Sequence, residues 1–230
     1  QRQMCIRDRI AGGASAKQWT AFNHVTDPSG APSQILGKLT ADGQVYVINA
    51  NGILFGAASQ VNLPSLVVSS LPMNPNLIKN GLLNNPDSQF LFSGLPLPSG
   101  SNGTPSFTPD AASVPNGWFG DVKVEQGARL QTPLSADKVG GRIALIGANV
   151  VNEGTISTPE GQTILAAGLQ VGWGGHAASD PSLRGLDVFV GEVNSTNVAQ
   201  PRAGLVRNAG IVEVLRGNVM MTGREVSNSG

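Results

Sequence analysis

The chain has 230 residues, of which 13% are charged and 40% hydrophobic, and its 15 basic residues balance 15 acidic ones. Because no basic run is present, this balance excludes the positively charged surface that nucleic acids require, and we expect no nucleic-acid partner. The single cysteine, Cys5, excludes an internal disulfide and a cysteine-based zinc site. No apolar run approaches the ~20 residues of a transmembrane helix.

The first residues differ in character from the rest. Residues 1–9 contain three arginines and one aspartate but no apolar stretch, so they are not a signal peptide. We interpret residues 1–20 as a poorly defined or foreign segment and residues 21–230 as one domain. Because the chain ends inside a repeat that is described below, we expect this domain to be truncated at its C-terminus.

Two asparagine-rich runs follow in the first part of the domain. They read Asn49-Ala50-Asn51-Gly52-Ile53 and Asn74-Pro75-Asn76-Leu77. Asparagine side chains bond nearby backbone and glycine supplies positive φ, so both runs favour tight turns. Contact with a partner is the other interpretation, and the residues alone leave that choice open.

Two stretches interrupt the strand-like pattern. Residues 71–116 are rich in Pro, Asn, Ser and Gly, and we predict an insertion that projects as a loop with a short hairpin near Gln89–Phe92. A second irregular insertion is predicted over residues 172–185, where Gly172-Trp173-Gly174-Gly175 is typical of a flexible turn. We expect Trp173 to pack its loop onto the domain.

After Gly120, glycine and asparagine residues recur at regular spacing. Gly, Gly, Asn and Gly stand at offsets 0, 6, 11 and 13 from Gly141 and again from Gly217, and a further Asn-x-Gly corner begins at Asn208. Short aliphatic and β-branched runs between these marks are predicted to be strands, namely Arg142–Ile146, Gln162–Ala166, Asp187–Val190, Ile211–Leu215 and Asn218–Thr222.

These runs are each too short to bury a face alone. Stacking them coil on coil buries a continuous apolar column. The pattern therefore predicts an all-β fold, a right-handed parallel β-helix (solenoid) with extra-helical loops or a hairpin. A β-sandwich is the alternative, but it predicts hairpin turns rather than Asn-x-Gly corners at coil spacing.

The run from Pro32 to Gly56 is the most specific part of the chain. It resembles the secretion domain of the filamentous haemagglutinin family, the exoproteins of two-partner secretion (TPS). That family carries Asn-Pro-Asn-Gly-Ile where this chain has Ala50 in place of the proline, and its Asn-Pro-Asn-Leu motif is matched in full by Asn74–Leu77. The resemblance covers roughly residues 21–230. Family members begin with a signal peptide and a capping β-segment, which we expect to be missing or replaced here.

The resemblance implies a role in export. The chain would be the N-terminal secretion and targeting domain of a Gram-negative adhesin, haemolysin or contact-toxin exoprotein that is secreted or held at the cell surface. Its partner would be the POTRA domains of an outer-membrane β-barrel transporter, and downstream regions would contact host or bacterial receptors. The residues implied in transporter recognition or folding are Asn49, Asn51, Gly52, Ile53, Asn74, Pro75, Asn76 and Leu77. A structural adhesin stalk without transporter contact is the alternative.

Catalytic and metal sites lack their usual residue patterns. His24 and His176 are the only histidines and neither stands at metal-ligand spacing, so we predict no metal and no cofactor. The carboxylate pairs that β-helical polysaccharide-cleaving enzymes need do not recur at coil spacing, although Glu153 and Arg142 could approach across coils. We predict that the chain is not an enzyme, with a carbohydrate-active β-helix as the alternative.

Overall fold

The computed structural model describes residues 19–74, 90–97, 107–109, 117–134, 140–175, 185–193 and 203–230. These residues form strands and turns, and no helix among them is long and apolar enough to cross a membrane. Most strands belong to three parallel sheets that the chain visits in turn. The predicted parallel β-helix is therefore confirmed.

The three parallel sheets are named A, B and C, and each is given in its spatial order. Sheet A contains β1 (Thr20–His24), β4 (Gln44–Ile48), β7 (Ser65–Ser69), β11 (Arg142–Gly147), β14 (Gln162–Ala167) and β19 (Asn218–Thr222). Sheet B contains β2 (Ser33–Ile35), β5 (Ile53–Phe55), β9 (Val122–Val124), β12 (Asn149–Asn152), β17 (Leu205–Asn208) and β20 (Glu225–Asn228). Sheet C contains β3 (Lys38–Thr40), β6 (Gln60–Asn62), β10 (Arg129–Gln131), β13 (Thr155–Ser157) and β18 (Ile211–Glu213).

Sheet A is buried on both of its faces. In β4, Val45 and Val47 belong to the core inside the β-helix, whereas Tyr46 belongs to a second core outside it. A strand covered on both faces has no polar side to show, so its sequence reads as a continuous apolar run. This explains runs such as Ile143–Ile146, whose four side chains are all fully buried.

A fourth sheet, D, covers the outer face of sheet A. It is antiparallel and consists of β16 (Leu186–Val190), β15 (Gln170–Gly175) and β8 (Phe92–Ser93), in that order. Trp173 of β15 is 6% exposed and packs edge-on against Phe92, with ring centroids 5.5 Å apart. The second core lies between sheets A and D.

Sheet D differs from the sequence interpretation in two places. Gly172–Gly175 were expected to form a flexible turn, but they continue β15 and pair with β16. The hairpin expected near residues 89–92 is instead the strand β8, in which Phe92 pairs with Val171 and bridges Met73. The expectation that Trp173 packs onto the domain is confirmed, although it does so from a strand.

Arg142 and Glu153 lie in different parts of the fold and have different partners. Arg142 lies on the outer face of sheet A, where its guanidinium carbon is 5.6 Å from the centroid of the Trp173 ring. Burial lowers the pKa of Arg142. Glu153 instead bonds Lys123 and Arg207 beside sheet B. The approach of Glu153 to Arg142 that the sequence allowed is therefore not observed.

The Asn-x-Gly corners stack as the repeat predicted. Asn152 donates to the side-chain oxygen of Asn208 at 2.7 Å, and Asn208 donates to that of Asn228 at 2.7 Å. The glycine two residues after each asparagine also stacks, since a Cβ on Gly210 would collide with the backbone of the coil before it. The strand bounds agree closely with prediction, although β18 ends at Glu213 rather than at residue 215.

Candidate functional site

The first asparagine-rich run forms the corner between β4 and β5. We call residues 49–53 the asparagine corner. The amide of Gly52 donates to the carbonyl of Asn49 at 2.9 Å, and Gly52 has a φ of 103°. That conformation favours glycine, and a Cβ on Gly52 would also lie 2.8 Å from the carbonyl oxygen of Asp121 in the next coil. The glycine is therefore required twice, for the turn and for the stacking.

Asn49 joins two segments of the chain through its side-chain amide. Its oxygen accepts from the backbone amide of Asn51 at 3.0 Å. Its nitrogen donates to the hydroxyl of Ser33 at 2.9 Å and to the carbonyl of Ala31 at 3.4 Å. Asn49 is 1% exposed. The side chain thus holds the connection between β1 and β2 against the corner.

Asn51 makes a similar contact from the same side of the turn. Its nitrogen donates to the carbonyl of Asp27 at 2.9 Å. Its side-chain oxygen is buried and has no hydrogen-bond partner among the described residues. Residues 27–33 therefore cover the corner, and both asparagine side chains face inward rather than toward solvent.

The other predicted site residues are buried or lie outside the described part. Ile53 is 1% exposed and belongs to the interior core. Asn74 is 2% exposed, and its amide donates to the carbonyl of Leu91 at 2.9 Å. The remaining three lie outside the described residues: Pro75, Asn76 and Leu77.

Sequence reasoning missed a polar column that continues the asparagine corner. The amide of Ile53 donates to the carbonyl of Asp121 at 3.0 Å, and the side chain of Asp121 accepts from Asn149 at 2.9 Å. Asn149 in turn accepts from the amide of Leu205 at 3.1 Å. Burial raises the pKa of the Asp121 carboxyl, and the hydrogen bond from Asn149 acts in the opposite direction. The signal for this column in the sequence was the polar residue Asn149 at the start of β12.

The chemistry of this region is hydrogen bonding by amides. Within the described residues, no group of three or more His, Cys, Asp or Glu is placed to hold a metal ion. His24 ends β1 and is exposed, and His176 lies outside the described residues. In the folded domain, Asn49 and Asn51 therefore bind and orient the chain's own backbone.

The fold and the asparagine corner define a β-helical domain with an extra-helical sheet. The family model "TPS secretion domain" matches residues 10–185, so the chain belongs to the TPS secretion domain family. This is a family of secretion and targeting domains and not a known enzyme family. Its members are the secretion domains of exoproteins that TpsB transporters export across the outer membrane of Gram-negative bacteria.

One curated relative is similar over a short segment. The chain is 42% identical over 50 residues to a heme/hemopexin-binding protein of Haemophilus influenzae. The matched segment spans 22% of this chain and 5% of that protein. The chain therefore corresponds to a small part of the relative's length.

Proposed function

We propose that this domain carries the export signal of its exoprotein and that the POTRA domains of a TpsB transporter recognise it. The observation that supports this most is the burial of the asparagine corner. Asn49 and Asn51 are 1% and 8% exposed, and their amide nitrogens are bonded to residues 27–33. A partner can reach these groups only before that segment closes over them. In this proposal recognition precedes folding of the corner.

Hydrogen-bond exchange then gives export a direction. In the unfolded chain, Asn49 and Asn51 offer donors and acceptors to the transporter, together with the run from Asn74 to Leu77. Outside the cell, the same amides turn inward and bond Ser33 and the carbonyl of Asp27. Such an exchange is nearly neutral for each bond, whereas burial of Ile53 in the core is favourable. Closure of the corner would therefore release the transporter and prevent backward movement.

The remainder of the exoprotein is proposed to act at cell surfaces, as an adhesin, a haemolysin or a contact toxin. Contacts with host or bacterial receptors would lie downstream of this domain. Family membership supports a surface-acting exoprotein. The Haemophilus relative is a heme/hemopexin-binding protein, which is compatible with such a role.

The test is export of the chain from cells that also produce its cognate TpsB transporter. Asn51→Ala and Asn76→Ala should each lower export about fivefold, because each removes amide contacts worth roughly 1 kcal/mol. The matched control is Asn208→Ala. It removes a buried asparagine that is bonded on both sides in the folded stack but lies outside both motifs.

We expect Asn208→Ala to weaken the fold and to leave export unchanged. A companion experiment measures binding of isolated POTRA domains to the folded chain and to chain freshly diluted from urea. Stronger binding to the unfolded chain, weakened by Asn51→Ala, is the expected result. Normal export of both motif variants, or equal POTRA binding to folded and unfolded chain, contradicts the proposal.

A further inference from the structure

The outer face of sheet C contains an open polar groove that includes none of the asparagine-corner residues. Its volume is about 430 Å³, and it is lined by the side chains of Lys38, Gln60, Asn62, Arg129 and Gln131. All five residues are exposed. The remaining lining residue, Val61, directs its side chain into the interior core. The groove thus presents charge and amides but no apolar anchor.

The strand register sets the spacing of the two cations. Lys38 and Arg129 each pair with Gln60, from opposite sides, so the three side chains form one column across β3, β6 and β10. Adjacent strands are about 4.8 Å apart, which places the two cationic residues roughly 9.6 Å from each other along the column. Asn62 and Gln131 belong to the parallel column beside it.

Sheet B contains a lysine and an arginine at the same spacing, with a glutamate bonded to both. There, Lys123 of β9 and Arg207 of β17 are also two strands apart, with β12 between them. Glu153, which follows β12, bonds Lys123 at 3.3 Å and Arg207 at 3.2 Å. One carboxylate therefore bridges a lysine and an arginine at this spacing.

Sheet C has the same arrangement of cations without the acid. Gln60 occupies the middle strand, and no carboxylate of the described residues lies within ion-pair distance of Lys38 or Arg129. An anion from outside the chain can take the place that Glu153 fills on sheet B. Charge-assisted hydrogen bonds to a carboxylate or sulfate are stronger than neutral ones.

We propose that this groove binds an anionic glycan, with a carboxylate or sulfate group between Lys38 and Arg129. The amides of Gln60, Asn62 and Gln131 both donate and accept, which suits the hydroxyl groups of neighbouring sugars. A peptide ligand lacks this density of hydroxyls and finds no apolar pocket here. The groove is independent of the asparagine corner, so this binding does not depend on the proposed export function.

The test uses the purified 230-residue chain and measures binding to dextran sulfate and to polygalacturonate, with uncharged dextran as the neutral probe. We expect the chain to bind both anionic polymers and not dextran. The double variant K38Q/R129Q should bind each at least about tenfold more weakly, because it removes both charge-assisted contacts. The neutral variant N62A/Q131A should lose about threefold with no change in charge.

The matched control is K123Q/R207Q. It removes the same two charges from sheet B, where Glu153 already bonds both side chains, and it should retain wild-type affinity. An equal loss in both double variants would show general polyanion attraction and overturn the proposal. Unchanged binding by K38Q/R129Q would also overturn it. Binding of poly-glutamate as tight as that of the glycans would assign the groove to acidic peptides instead.

Discussion

At the residue scale, the effect of having alanine rather than proline at position 50 depends on whether the backbone amide of that residue donates a hydrogen bond. The carbonyl of Ala50 accepts from the amide of Gly120 at 2.8 Å, but the amide of Ala50 is not a donor in any hydrogen bond of the described residues. The proline that the family carries at this place would therefore cost no hydrogen bond. Alanine leaves the backbone freer before folding than proline would, so we expect it to lower the stability of the turn only modestly.

Asp121 gives this region a pH dependence. Burial raises its pKa, so the folded state holds the proton more tightly than the unfolded chain. For an acid, stability is then lost as pH rises from the ordinary carboxyl range through the raised pKa. Asp121→Asn removes that cost and keeps an oxygen for Asn149. We expect its thermal midpoint at pH 7 to exceed that of wild type by about 1–2 °C, a small effect because the residue also faces solvent.

The gain should shrink as pH falls toward the ordinary carboxyl range, and calorimetric scans at several pH values would measure it. Asp42→Asn is the control, since it makes the same charge change at an exposed turn. A gain that is equal at low and neutral pH, or that Asp42→Asn reproduces, contradicts the assignment to Asp121.

At the element scale, a buried glutamine of sheet A adds a polar contact to the core that joins sheets A and D. Gln162 in β14 is 3% exposed, and its side chain bonds the backbone of Leu186 in both directions, donating at 2.7 Å and accepting at 2.9 Å. Gln162→Leu keeps the volume but leaves both backbone groups of Leu186 unpaired. We expect the free energy of unfolding to fall by about 2 kcal/mol. Hydrogen exchange of β15 and β16 should also accelerate.

Gln44→Leu is the matched control for this substitution. Gln44 lies in the same sheet as Gln162, and its side chain makes no hydrogen bond among the described residues. The control should leave the exchange of sheet D unchanged. Equal exchange rates for β15 and β16 in both variants would rule out a contribution of Gln162 to holding sheet D on sheet A.

The elements also show where sequence reasoning succeeds. The coils after Gly120 were predictable because glycine and asparagine occur at each corner. In addition, strands that are buried in the two cores have short apolar sequences. Sheet D was not predictable, because Ser93 of β8 precedes its partner Gln170 of β15 by 77 residues. In addition, β15 contains Gly172 and Gly174, which usually signal turns. The corner residues were found by motif, but their inward orientation depends on residues 27–33, which no local pattern indicated.

At the scale of the whole molecule, burial is uneven across the three parallel sheets. Sheet A lies between two cores, whereas the outer faces of sheets B and C carry exposed side chains. Local opening is least favourable where apolar contacts are densest. We expect amide hydrogen exchange to be slowest in β7, β11 and β14 and fastest in β1–β3 and β18–β20. Uniform protection from one end of the stack to the other would contradict this gradient.

The two long segments that leave the stack, between β7 and β9 and between β14 and β17, affect the order in which the coils can form. Arg142 and Gln162, which lie side by side, are separated by only 20 residues, but the hydroxyl of Ser70 meets the amide of Ala148 across 78 residues, and Asn152 meets Asn208 across 56. A chain that emerges from one end can close a short coil at once. A coil that contains a long insertion can close only after the residues beyond the insertion have emerged. Growth of the stack from its first coil would therefore pause twice, after β7 and after β14. Sheet D, assembled from both long segments, would be completed only after the second of these delays.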